Sequence, residues 1–155
     1  MNTITQAVIL CGGLGTRLRP LTYKTPKPMV IINNKPFLWY LLEKLSSQKI
    51  NNFLLLTGYL GDQIKNYFQN GKKFNWNIIY DHGDEDWDTG RRIWEAREKV
   101  NENFLLCYSD NFVQFSLEEL YKIWVGNNSV ITLCLSRKAK GNADFIDKHN
   151  NIYYH

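Results

Sequence analysis

Residues 7–29 read AVILCGGLGTRLRPLTYKTPKPM. An apolar run breaks into Gly12, Gly13 and Gly15, and the chain then lays down Arg17, Arg19, Lys24 and Lys27. With Lys35 these make five cations, and no Asp or Glu precedes Glu43. A one-signed patch of this kind concentrates anionic ligands. Glycine permits positive φ and lets backbone N–H groups approach an anion closely. The loop therefore suits a polyphosphate, to which Arg17 can add a bidentate fork. Its spacing, G-G-x-G-x-x-L, is not the G-x-G-x-x-G of a dinucleotide loop, and no G-K-[ST] is present. Pro20, Pro26 and Pro28 also stop a regular helix from following. Such an anion would not rest on a helix dipole as in those folds, which removes the NAD-type dehydrogenase reading.

Outward from this stretch, apolar runs at 7–11, 53–57, 76–80, 104–108 and 129–135 predict strands. Between them, 37–49, 62–70, 90–100 and 116–125 predict helices; in the last, Leu117, Leu120, Tyr121 and Trp124 recur at helical spacing behind Ser116. Alternating strand and helix implies βαβ units, a largely parallel sheet and helices on both faces. The expected class is α/β: a Rossmann-like three-layer sandwich with a largely parallel, mixed sheet. After Arg137 the chain reads KAKGNADFIDKHNNIYYH, two short strand-like pieces around an Asn-rich turn at 149–151.

With 155 residues, the chain is expected to form one domain over 1–155, incomplete at its C-terminus. A chain of this size buries about 68–70% of its unfolded surface, enough for a core without staples. The composition, 44% hydrophobic and 22% charged with a net charge of +4, is that of an ordinary globular protein. Cys11, Cys107 and Cys134 are odd in number, widely spaced and set in apolar runs, so they read as buried free thiols in a reducing cytoplasm. The N-terminus MNTITQ lacks the basic region and apolar run of a signal peptide. No apolar run approaches the ~20 residues of a membrane span. Aromatics are frequent but not interleaved with Lys and Arg, which speaks against nucleic acid. Trp39, Tyr40, Leu41 and Leu45 read as core of the first helix. His82, His149 and His155 lack partners at ligand spacing.

G-G-L-G-T-R-L-R-P-L-T followed by T-P-K-P-M closely resembles the signature of the sugar-1-phosphate nucleotidyltransferases. The likeness continues through K-P-F-L-W-Y at 35–40, G-Y-L-G-D-Q-I at 58–64, Asp110 and G-N-A-D at 141–144. It implies transfer of a nucleoside monophosphate from an NTP to a sugar 1-phosphate, with release of pyrophosphate, feeding surface-polysaccharide synthesis. It further implies nucleotide-binding positions at Leu10, Cys11, Gly12, Gly13, Gly15, Thr16 and Arg17, continued at Thr89 and Gly90. Arg17, Lys27 and Asp110 would be catalytic. Arg17 would neutralise the leaving pyrophosphate, and Lys27 would sit beside the α-phosphate and the sugar phosphate. A carboxylate ending a strand opposite a phosphate loop can hold Mg²⁺ or simply belong to a turn; for Asp110 the resemblance implies the Mg²⁺ role.

Asp88-Thr89-Gly90-Arg91-Arg92 is similar to the T-G-G-R of glucose-1-phosphate cytidylyltransferases, while K-P-F-L-W-Y is similar to these and to heptose-1-phosphate guanylyltransferases. Cytidylyl or guanylyl transfer to a hexose or heptose 1-phosphate is therefore expected. Arg91 either faces the triphosphate or pairs with the acidic cluster at 84–88, itself a solvated loop rather than a metal site. The alternative is a nucleotide-binding fragment or regulatory relative without turnover. An unfinished sheet would leave strand edges open, so weak nucleotide binding, poor turnover and homo-oligomer formation are expected of these residues alone.

Overall fold

The computed structural model describes residues 4–134 and the backbone of two further strands, Ala143–Ile146 and Ile152–Tyr154. The chain divides into two compact units, Met1–Leu117 and Glu118–His155.

The first unit is built on β1, Gln6–Cys11, buried at all six positions. A strand apolar on both sides must be covered on both sides. β2 (Ile31–Ile32) and β3 (Lys35–Pro36) form a small antiparallel hairpin. Its two turn residues, Asn33 and Asn34, take φ of 45° and 66°, the left-handed pair a two-residue hairpin demands. Helix α1, Phe37–Ser46, buries Leu38, Leu41, Leu42 and Leu45, a single stripe at helical spacing. It ends where Lys49 turns left-handed (φ 71°) and the N–H of Ile50 reaches back to Leu45 O at 3.1 Å. Then come β4 (Asn52–Thr57), α2 (Gly61–Phe68), β5 (Asn77–His82), α3 (Thr89–Glu95) and β6 (Leu105–Tyr108).

The sheet runs β5-β4-β1-β6, and every pairing in it is parallel. The antiparallel pairings lie outside it, in the β2–β3 hairpin and in the second unit. Alternate residues of each strand feed opposite cores. Ala7, Ile9, Cys11, Phe53, Leu55 and Ile78 pack with the apolar stripes of α1 and α2. Val8, Leu10, Leu54 and Leu56 pack with Ala96 and Ile93 on the α3 side. This is the three-layer arrangement expected from the sequence. It has a topological reason: the chain steps from β1 to β5 in one direction, then crosses to the other side of β1 for β6. With right-handed crossovers, that reversal sends α3 to the opposite face from α1 and α2.

Trp39 and Tyr40 serve packing. Trp39 lies 6.3 Å from Trp76 and beneath the ammonium of Lys35, and the Tyr40 hydroxyl donates to Ile32 O at 2.9 Å. Leu41 and Leu45 are core, as expected.

The second unit holds most of α4 (Leu117–Gly126) and an antiparallel hairpin of β7 (Ala143–Ile146) and β8 (Ile152–Tyr154). Those two strands match the two strand-like pieces expected there; the Asn-rich turn at 149–151 lies outside the described residues. The strand expected at 129–135 is corrected: residues 129–134 form none, and Val130 and Ile131 are 95% and 74% exposed. An apolar run becomes a strand only when a neighbour supplies the ladder. Residue 135 lies outside the described residues, as do His149 and His155. Cys134 is consequently exposed and Cys107 half-buried, so of the three cysteines Cys11 alone is the buried thiol expected.

Leu55→Ala is expected to cost about 2–5 kcal/mol, because it empties a fully buried site between β1 and the α1–α2 layer. Urea unfolding measures it, and a loss below about 1 kcal/mol would contradict the core assignment.

Candidate functional site

Ligands of open α/β sheets bind beyond the carboxyl ends of the strands, where the strand order reverses. Here that point lies between β1 and β6. The glycine loop leaves β1 and Ser109-Asp110 leaves β6, tied together by the N–H of Ser109 donating to Leu10 O at 3.2 Å.

The loop is a series of tight turns, as its prolines require. Thr16–Leu18, Leu21–Tyr23 and Lys27–Met29 are single 3₁₀ turns. Gly15 enters the first with φ 63°, and a side chain there would crowd Thr22 at 3.1 Å and Lys27 Cβ at 3.3 Å. The Thr22 hydroxyl donates to Gly15 O at 2.9 Å. From the other side Tyr59 strings its hydroxyl to the carbonyls of Thr22 (2.9 Å) and Tyr23 (3.1 Å), and Gln63 donates to Lys24 O at 2.9 Å. The loop is thereby strapped to G-Y-L-G-D-Q-I, another stretch of the resemblance.

These straps bring Lys27 to Asp110. The two side chains form an ion pair, each 29% exposed, so both are reachable from solvent yet held. Arg17 is exposed, and its guanidinium has no partner among the described residues. Cys11 ends β1 in full burial, which pushes its thiol up to about 12 against the opposing hydrogen bond of Ser109; the Asp110 charge adds to the rise. Leu10 is core on the α3 face, so it and the neutral Cys11 can offer a nucleotide only shape and backbone. Thr16 and Gly13 are exposed, and a Cβ on Gly13 would meet nothing within 4 Å.

Thr89 and Gly90 open α3, exposed, behind Asp88, whose carboxylate accepts from the N–H of Arg91 at 2.7 Å. The Arg91 guanidinium lies over the Trp87 ring at 4.6 Å and reaches Glu95 at 4.0 Å, so its charge pairs along its own helix rather than with the carboxylates at 84–88.

The residue that sequence reasoning missed is Arg92. It is only 6% exposed. Nη1 donates to Thr57 O at 2.9 Å; Nη2 donates to Asp84 O at 2.6 Å and to Gly12 O at 3.3 Å. Burial lowers its pKa while Asp84 and Asp86 act against that. A Cβ on Gly12 would lie 2.4 Å from the guanidinium carbon, and one on Gly58 2.7 Å from Nη1. A signal existed: Arg92 and Ala96 share the inward stripe of α3 at spacing i, i+4.

Among the described residues no cluster of three or more His, Cys, Asp or Glu could hold an ion. Mg²⁺ is commonly bound by one or two carboxylates with substrate phosphates completing the shell. Asp110, at the strand end beside the glycine loop, fits the protein's share.

The nucleotidyl transferase family is matched over residues 6–145. The chain belongs to that family. It is 38% identical to a D-glycero-alpha-D-manno-heptose 1-phosphate guanylyltransferase of Campylobacter jejuni, over 85% of this chain and 58% of the relative. It is 36% identical to a glucose-1-phosphate cytidylyltransferase of Salmonella typhimurium, over 73% of this chain and 53% of the relative. The structure of HddC from Yersinia pseudotuberculosis, complexed with GMP-PN, superposes with a TM-score of 0.70 at 30% identity, covering 79% of this chain and 55% of that one. The chain thus spans little more than half the length of these relatives. No helix among the described residues is long and apolar enough to cross a membrane.

Gly12→Ala should destabilise by about 1–3 kcal/mol, since its methyl overlaps a buried guanidinium. Gly13→Ala, in open space, should change stability by less than about 0.5 kcal/mol. Equal thermal shifts for the two variants would contradict the packing described.

Proposed function

We propose that the protein transfers a nucleoside monophosphate from CTP or GTP to a hexose or heptose 1-phosphate, releasing pyrophosphate, in the cytoplasm. The observation that carries this is the Lys27–Asp110 pair at the switch point, with Lys27 against Gly15 of the glycine loop. The choice of donor and acceptor is supported by the names of the cytidylyl and guanylyl relatives. The cytoplasmic assignment is supported by three unpaired cysteines.

In the reaction a sugar phosphate oxygen bonds to the α-phosphorus, and the bond to the α,β-bridging oxygen breaks. Pyrophosphate leaves with the electron pair. Such a displacement needs positioning and charge neutralisation more than covalent help from the protein. The amides of the glycine loop hold the phosphates, and Arg17, with no partner among the described residues, is free to bind the leaving pyrophosphate. The ammonium of Lys27 would sit beside the α-phosphate and the sugar phosphate, offsetting the negative charge that builds there. Asp110 would hold Mg²⁺, which when bound offsets charge on the phosphates. Thr89 and Gly90 would lie against the nucleoside.

Lys27→Ala should lower kcat/KM by about 10²–10³-fold, the usual loss of one charge-stabilising donor, in a pyrophosphate-release assay with Mg²⁺ and a panel of NTPs and sugar 1-phosphates. An unchanged rate would remove Lys27 from the site. Nucleotide binding with no pyrophosphate released from any pair would assign the chain to the alternative, a binding module without turnover. In a thermal-shift panel the true donor, at 100 times its Kd, stabilises by about 2.7 kcal/mol. A response to ATP or UTP in place of CTP and GTP would overturn the base assignment.

A further inference from the structure

We propose that Arg92 is a positioning residue for the triphosphate: it fixes the Gly12–Gly13 peptide so that the N–H of Gly13 points outward as a ready anion donor. This rests on the nucleotidyltransferase reading and adds a residue to it.

The Gly12 carbonyl takes two hydrogen bonds from inside the protein, from the N–H of Tyr59 and from Arg92 Nη2, both at 3.3 Å. A trans peptide is planar, with C=O and N–H on opposite sides. A carbonyl held inward therefore turns the next N–H outward. Gly13 is exposed, its N–H has no partner among the described residues, and nothing stands within 4 Å of where its Cβ would be.

Left to itself a Gly-Gly peptide samples both orientations, because neither residue carries the Cβ that restricts φ and ψ. A ligand would then have to order it on binding, at a cost in affinity. Arg92 removes that freedom beforehand. The guanidinium is itself anchored on Thr57 O and Asp84 O, so its position is set by β4 and the segment after β5 rather than by the loop it steadies. Glycine at 12 and 58 makes the space that the planar fork fills. Lysine could supply the charge but not three carbonyl contacts from one rigid fork.

The test uses the full chain labelled with ¹⁵N-glycine and titrated with inorganic tripolyphosphate, CTP and GTP. In the wild type, the Gly13 amide should shift most among the glycines with all ligands that bind. Arg92→Lys and Arg92→Met should weaken tripolyphosphate and NTP binding by roughly tenfold or more, the loss of a well-placed hydrogen bond to a charged group. Leu55→Ala, destabilised but remote from the loop, should keep wild-type affinity. Should Arg92→Met fail to fold, Arg92→Lys and the wild-type Gly13 signal still decide. A silent Gly13 amide in a protein that binds, or equal affinity in a folded Arg92 variant, overturns the assignment of Arg92 alone. A wild type that binds none of the three ligands overturns the functional reading together with it.

Discussion

Where parallel strands leave a sheet, their last carbonyls lose the ladder that paired them, and a buried carbonyl needs a donor. In this protein one guanidinium answers for three such ends. Arg92 serves Gly12 after β1, Thr57 at the end of β4 and Asp84 after β5. The first two also take a backbone donor from a neighbouring segment, Tyr59 to Gly12 at 3.3 Å and Gly83 to Thr57 at 3.0 Å. A buried cation loses hydration, and the loss is offset only when its donors are occupied. The planar fork of arginine, with five N–H groups and no acceptor, suits three carbonyls better than any other side chain.

What stands above those strand ends depends on them. Thr22 ties the proline-rich loop to itself, and Tyr59 and Gln63 strap it to the turn before α2 and to α2's first turn; the turn before α2 springs from Thr57. The strap delivers Lys27 to Asp110 at the neighbouring strand end. Gly61 belongs to the same construction: a side chain there would lie 2.9 Å from Thr57 Cβ and 3.0 Å from the His82 ring, so α2 can start this close to the sheet only on glycine. The site thus draws on segments near 12–15, 27, 92 and 110, far apart in sequence and adjacent because each follows the carboxyl end of a strand.

The sequence made much of this legible where the signal was local. β1, β4 and the stripe of α1 follow from apolar spacing, and the cationic glycine loop announces an anion by composition. The run at 129–135 has the same apolar character as β4, yet lacks a strand over its described residues, because pairing is a property of neighbours rather than of the run. The β2–β3 hairpin went unread although Asn33-Asn34 is a fair turn signal, since two-residue strands carry no periodicity. Arg92 was hidden by its twin. Two adjacent arginines in a polar stretch look alike in composition, and only the phase of α3 turns one outward to Glu95 and the other inward to the strand ends.

The glycines of the signature then separate into distinct physical demands. A phosphate loop invites the reading that every glycine is there so that backbone can approach the ligand. At Gly12 the missing side chain would point into the protein, onto the guanidinium of Arg92, and the constraint is internal packing. At Gly15 it is conformational, a φ of 63° combined with close contact to Thr22 and Lys27. Gly13 alone faces open space with an unrestricted backbone, so it is the glycine whose lack of a side chain leaves room for a ligand. Three identical residues within four positions therefore look inward, outward and along the chain, and the first two directions follow from one carbonyl being held from beneath.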